Sequence, residues 1–266
     1  MGVRQWLRDN ISTGASGNDP TDGGGGRVRG DPPSGNGASS FHLFWQMPPG
    51  RSPLVEVSAV FELLEAPPVD RLYFWALQAS FVDARGLHQG AGHLGPQWNP
   101  GHRDSRAICW GGYGANGVEL TGGPLAFPTP HGNPNVCDYP FPIGAPLTLR
   151  IRRSTRGWLG EIIDGSTGGV HSIRELDCDT PFLADPIVWS EVFARCDHPT
   201  VRVRWSRLSG VAADGSVRLA RAVSVNYQSH RDGGCANTDS SSDGFGIVQA
   251  TNVARSTPQG AVVPLP

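Results

Sequence analysis

The stretch IVWSEVFAR, residues 187–195, places chemistry-bearing side chains at alternate positions. Read as a strand, it sends Val188, Ser190, Val192 and Ala194 to one face and Trp189, Glu191, Phe193 and Arg195 to the other. The first set is small and mostly apolar and suits a core. The second combines two rings, a carboxylate and a guanidinium, which is the equipment of a sugar site: apolar CH faces stack on aromatics while hydroxyls take charged and amide partners. The competing reading buries both faces and makes Glu191 and Arg195 an internal ion pair at i, i+4.

Two further segments carry polar groups in strand-like spacing. In GHLGPQW, residues 92–98, His93 and Gln97 fall on one side, while Gly92 and Gly95 leave bare backbone for a close approach. Pro96 inside the run predicts an edge strand or a bulge. In NYQSHRDGGCANTDSSSDGFG, residues 226–246, Gln228 and His230 alternate into a glycine-rich turn. There Asp239, Ser241, Asp243 and Gly244 follow the opening of a calcium-loop spacing. The acidic residue that should close such a loop falls at Ala250, so a metal-free Asx- and Ser-rich turn is the default and calcium the alternative. No other cofactor is expected.

Several enzyme classes are excluded. The sequence has no GxSxG, no HExxH and no glycine-rich phosphate loop. All 22 basic residues are arginine, so a Schiff-base lysine and a P-loop lysine are absent. What remains for a β-rich chain is a glycosidase or lyase, with Glu191 as one carboxylate and Glu119 as a candidate second.

The elements that must position these groups are strands. Short apolar or alternating runs near 41–46, 54–63, 72–82, 92–98, 106–112, 147–153, 158–164, 170–176, 187–195, 201–208 and 222–228 are separated by Gly, Pro, Asn and Asp. No segment holds a helical period, and the pattern predicts an all-β, two-sheet antiparallel sandwich. Within LTLRIRR and VRVRWSRL, apolar residues oppose Arg150, Arg152, Arg202 and Arg204, which reads as a solvated face laced with pairs to Glu and Asp. We expect at most a short, fraying helix over 1–11, a disordered Gly/Ser/Pro-rich linker over 12–40, the sandwich over 41–252 and a flexible tail over 253–266.

Net charge of -2 provides no field to draw in nucleic acid or an anionic membrane, and neither is expected as a partner. Five cysteines without a CxxC pair argue against a structural zinc site. With no apolar leader at the N-terminus, reduced thiols and a cytoplasmic location are the expectation, with export and disulfides the alternative.

The segments YFWALQASFV, GAGHLGPQW, WGGYG, WSEVFARC and NYQSHRDGGCANT together resemble a group of uncharacterised bacterial β-sandwich proteins. These are related to domains of unknown function with concanavalin-like or jelly-roll architecture. The resemblance implies a sandwich over most of 41–250 and carries no activity. The expectation is therefore non-catalytic binding of carbohydrate or another small polar ligand by His93, Gln97, Trp189, Glu191, Arg195, Gln228 and His230. A polysaccharide-acting enzyme and a protein-interaction or structural domain are the alternatives.

Overall fold

A computed structural model describes residues 28–130 and 132–266. The helix expected over 1–11 and the linker up to residue 27 lie outside the described residues.

Among the described residues sixteen strands follow one another: β1 (Ser39–Gln46), β2 (Leu54–Glu65), β3 (Tyr73–Val82), β4 (His88–Trp98), β5 (Arg106–Gly114), β6 (Val136–Asp138), β7 (Leu147–Arg153), β8 (Gly157–Asp164), β9 (Val170–Asp177), β10 (Phe182–Val192), β11 (Arg202–Ala212), β12 (Val217–Leu219), β13 (Ala222–Tyr227), β14 (Thr238–Ser242), β15 (Ile247–Thr251) and β16 (Val262–Pro264). Among the described residues the only helical piece is a 3-10 turn at Arg103–Ser105. One layer runs β16-β13-β1-β10-β3-β4-β5-β6 and the other β9-β8-β7-β2-β11-β15-β14, with β12 on the edge of β11. A single pair, Leu183 with Leu54, joins the layers through β10 and β2. The fold is an antiparallel β-sandwich.

Alternation builds the core between the layers. Tyr73, Trp75, Leu77, Ala79 and Phe81 of β3 meet Phe61 of β2 and Trp158 of β8, with ring centroids 5.6 Å apart for Phe61–Trp75 and 5.5 Å for Phe81–Trp158. Burying rings of this size is the main source of stability, at about 25 cal/mol per Å² of apolar surface removed from water. One polar network crosses the core. Ser190 and Trp205 both donate to Gln249 Oε1, at 2.7 and 3.0 Å, and Gln249 Nε2 donates to the Phe41 carbonyl at 3.0 Å. The buried glutamine is thereby satisfied, as a core amide must be.

The outer arginines pair as the alternation suggests. Arg150 and Arg152 flank Glu161, and Arg202 and Arg204 reach Glu65 and Glu62 on the neighbouring strand. Burial works to raise the Glu161 carboxyl, but hydrogen bonds from Arg152 and Arg150 hold it below the usual range.

Both ends of the sandwich extend further than the sequence suggests. Residues 28–38 lie against the domain: Gly30 N donates to Asp197 Oδ1 at 3.1 Å, and Cys196 N donates to the Gly30 carbonyl at 2.8 Å. The C-terminal stretch ends in β16, whose Val262–Pro264 pair with β13. Cys196 and Cys235 form a disulfide, while Cys109, Cys137 and Cys178 are free; the expectation of reduced thiols throughout is corrected. No described helix is long and apolar enough to cross a membrane.

Candidate functional site

The side of β10 that faces away from the sandwich core carries Ile187, Trp189 and Glu191, and register assembles a second buried surface around them. Glu191 pairs with Phe74 of β3, which pairs with Gln97 of β4. Ser40 of β1 flanks Glu191 on the other side. One row along, His42 of β1 pairs with Trp189; in the next, Ile187 pairs with Gln78, and Gln78 with His93. A smaller apolar cluster of Phe74, Ala76, Ala107, Cys109, Val136, Ile187 and Trp189 fills the gaps.

Trp189 is 1 % exposed. Its ring lies edge-on to Phe74 at 4.8 Å and beside His42 and His93 at 6.4 and 6.1 Å, while its indole N–H donates to Gln78 Oε1 at 3.2 Å. It is a packed residue and offers no platform for a sugar.

Glu191 is 5 % exposed. Asn36 Nδ2, from the segment preceding β1, donates to its Oε1 at 3.2 Å. Burial raises the carboxyl to about 7, with the Asn36 bond pulling the other way. The carboxyl therefore carries its proton through the mildly acidic range. Burial also pushes the His42 imidazole down to about 3, leaving the ring neutral at ordinary pH.

Gln97 stands two strand spacings from Glu191, about 9–10 Å between backbones, with Phe74 between them. Asn99 Nδ2 donates to Gln97 Oε1 at 2.9 Å, which fixes Oε1 as the acceptor and leaves Nε2 as the donor end of the amide. Register thus puts a protonatable carboxyl and an amide in one row of the same sheet face, with the Phe74 ring between them. This arrangement can move a proton and hold a developing negative charge.

The two glycines beside Gln97 serve packing. A Cβ at Gly92 would meet the Phe81 and Trp110 rings at 2.6 and 2.7 Å, and one at Gly95 would stand 1.8 Å from the Trp75 carbonyl oxygen. β4 is a central strand between β3 and β5, which corrects the edge expected from Pro96. The β3–β4 ladder passes from Phe74–Gln97 to Leu77–Leu94, so Pro96 falls where no N–H is called on.

Of the other expected members only Gln228 comes near, bonded to Ser40, which flanks Glu191. β10 ends at Val192, so the strand alternation does not reach Arg195, which is exposed and pairs with Asp197 at 3.2 Å. Gln228 accepts from Ser40 N at 2.9 Å and donates to the Asp232 carbonyl at 2.7 Å, and the His230 ring contacts the Gly234 carbonyl. Both stabilise a turn. Glu119 bridges Tyr113 near the far edge of its layer and is hydrogen-bonded by Asn135; it cannot serve as a second carboxylate for Glu191.

The calcium spacing is a hairpin. Asp239 and Ser241 lie in β14, and Ser241 pairs with Val248. Asp239 accepts from the backbone amides of Ser256 and Thr257 at 3.0 and 2.9 Å, from the Ser256 hydroxyl at 2.6 Å and from the Tyr227 hydroxyl at 3.3 Å. Asp243 accepts from Arg204 and from the amides of Phe245 and Gly246. Among the described residues no group of three His, Cys, Asp or Glu could hold a metal. Burial would raise the Asp239 carboxyl, but its hydroxyl and amide donors hold it below the usual range. Asp239→Ala is expected to lower unfolding free energy by about 2–3 kcal/mol, since several charge-assisted bonds vanish together. Calcium should leave the wild-type melting temperature unchanged; calorimetry with calcium and with chelator checks both.

Among the residues on this face, Gln78, His42 and Asn36 were missed by sequence reasoning. Gln78 is the one amide within YFWALQASFV, and His42 the one titratable group in FHLFWQ; a strong hydrogen-bonding group in a largely apolar run was the available signal. Asn36 carried none.

No family model matches the chain, and no curated protein matches it at a significant level. Solved structures similar in shape include two peptidases. One is scytalido-glutamic peptidase, solved with a peptide-based transition-state analogue; the other is SCP-B, a member of the eqolisin family of peptidases, in complex with the tripeptide Ala-Ile-His. Each is 12 % identical, covers 85 % of this chain and 100 % of its own length, and superposes with a TM-score of 0.41. At that identity and TM-score the likeness assigns no residue and no activity. Both of these structures are peptidases, and on this face Trp189 is buried. The expectation of carbohydrate binding is corrected, together with the glycosidase, lyase and interaction-domain alternatives.

Proposed function

We propose that this chain is a carboxyl-dependent hydrolase that attacks an acyl carbon, with Glu191 as general acid and base and Gln97 as the oxyanion donor. The observation that carries this reading is the Glu191 carboxyl, buried on the non-core face and raised to about 7, two strands from an oriented amide. Buried carboxyls shifted towards neutrality suit proton transfer, because either protonation state is accessible near the working pH.

In such a reaction Glu191 takes a proton from water as the water oxygen bonds to the carbonyl carbon. Gln97 Nε2 donates to the oxygen that becomes negative. The proton then passes from Glu191 to the leaving atom as its bond to carbon breaks. The substrate class we name is the peptide bond, the bond on which peptidases such as the two similar structures act.

Gln97→Ala tests the division of labour. It should lower kcat by about 10²–10³ with little change in KM, the signature of a donor engaged mainly in the transition state. Steady-state hydrolysis of a fluorogenic peptide library near pH 7, where both protonation states of Glu191 are populated, provides the measurement. An equal rise in KM with kcat unchanged would place Gln97 in ground-state binding instead.

A further inference from the structure

A cavity of about 650 Å³ opens at the edge of the sandwich, between the connection that follows β5 and strand β9, away from Glu191. Its floor holds Arg174, which is 6 % exposed. Arg174 pairs with Gly160 of β8, and a Cβ on Gly160 would meet the Trp110 ring, so the arginine points between the layers.

Only one side of this guanidinium is engaged. Nη1 donates to the Pro134 carbonyl and, at 2.9 Å, to Asn135 Oδ1. Nε has no hydrogen-bond partner among the described residues, and no described carboxylate forms an ion pair with Arg174. A Cβ at Gly122 would stand 2.6 Å from Nη2 and 3.0 Å from Nε. Glycine at that position keeps the fork free of a covering side chain. A buried guanidinium nitrogen without a hydrogen-bond acceptor is costly, and a carboxylate is the planar partner that the Nε/Nη2 edge fits.

The walls select further. Leu120, Leu125, Phe127 and Pro128 are apolar, and the Glu119 carboxylate lines the same cavity. One guanidinium beside one acid favours a single negative charge over a dianion. We propose that this cavity binds a small organic monocarboxylate with an apolar body, its carboxylate held by Arg174 and its body against Leu125 and Phe127.

The probes are 3-phenylpropionate, its uncharged analogue 3-phenylpropanamide and inorganic phosphate, followed by the backbone amide NMR signals of Gly122 and Gly123 in the full chain. The carboxylate should give shifts that saturate over a titration to about 100 mM, with half-filling near about 10 mM. The amide should bind at least about tenfold more weakly, as expected when a charge-assisted pair is lost. Arg174→Gln should abolish the shifts. Glu119→Gln, which keeps the shape and removes the repelling charge, should tighten binding about three- to tenfold. If Arg174→Gln does not fold, the Glu119→Gln result decides. Equal binding of acid and amide, phosphate binding as tight as phenylpropionate, no tightening in Glu119→Gln, or no saturation would each overturn the proposal.

Discussion

Glu191→Gln is expected to make the protein more stable relative to wild type as pH rises, by about 3 kcal/mol between roughly pH 4 and pH 8. In the folded chain the carboxyl keeps its proton up to about 7, whereas its ordinary value is 4.5. Between those values the unfolded state binds fewer protons than the native state, so wild-type stability falls as pH rises through the window. The contribution is fully present below 4.5 and lost above about 7. At about 1.4 kcal/mol per pH unit the window corresponds to roughly 3 kcal/mol. Glutamine has a similar shape and does not titrate.

His42 titrates in the opposite sense. Its neutral ring stabilises the fold above 6.5 and loses that contribution as pH falls towards 3. Because His42 is present in both proteins, the difference between urea midpoints of wild type and variant isolates Glu191. A difference that stays flat from acid to alkali would mean that the carboxyl is ordinary.

Loss of the Cys196–Cys235 bridge should cost about 4 kcal/mol, the chain-entropy expectation for a loop of this length. The bridge spans 39 residues, from the end of β10 to the start of β14. It also fixes the chain that holds the Glu191 side of the site: Cys196 N is bonded to Gly30, and Asn237 Nδ2 donates to the Cys196 carbonyl at 2.7 Å. Asn36 of the same arm reaches Glu191. The double variant Cys196→Ala/Cys235→Ala should therefore melt about 10 °C lower. Thermal denaturation of wild type with and without reductant should reproduce most of that drop. An unchanged melting temperature in both would show that the loops are held without the bridge.

The strands with strong alternation were legible because one buried face leaves a period of two in the residues. The short ones were not. TDSSS reads as a turn, yet it forms β14 because Ile247–Thr251 offers a paired edge, and Asp239 is anchored by amides some seventeen residues on. Such support is non-local and leaves no mark in a five-residue window.

Alternation also located Glu191 opposite the core correctly. It could not say that the opposite face is buried too, which is why Trp189 read as a platform. Gln97 and Glu191 were each visible as polar residues in strands. Their alignment depends on Phe74, a residue neither segment contains, through two pairings between distant parts of the chain. Arg195 failed for a local reason: the strand stops three residues before it.

The most direct test of the account is the pH profile of peptide hydrolysis by wild type beside Glu191→Gln, using a denatured protein substrate and mass-spectrometric detection of new termini. Wild type should cleave with a rate that changes through one ionisation near 7, and Glu191→Gln, with its fold intact, should lose about 10²–10⁴ in rate at the wild-type optimum together with that pH dependence. Cleavage by Glu191→Gln at the wild-type rate, or no cleavage by folded wild type at any pH, would contradict it.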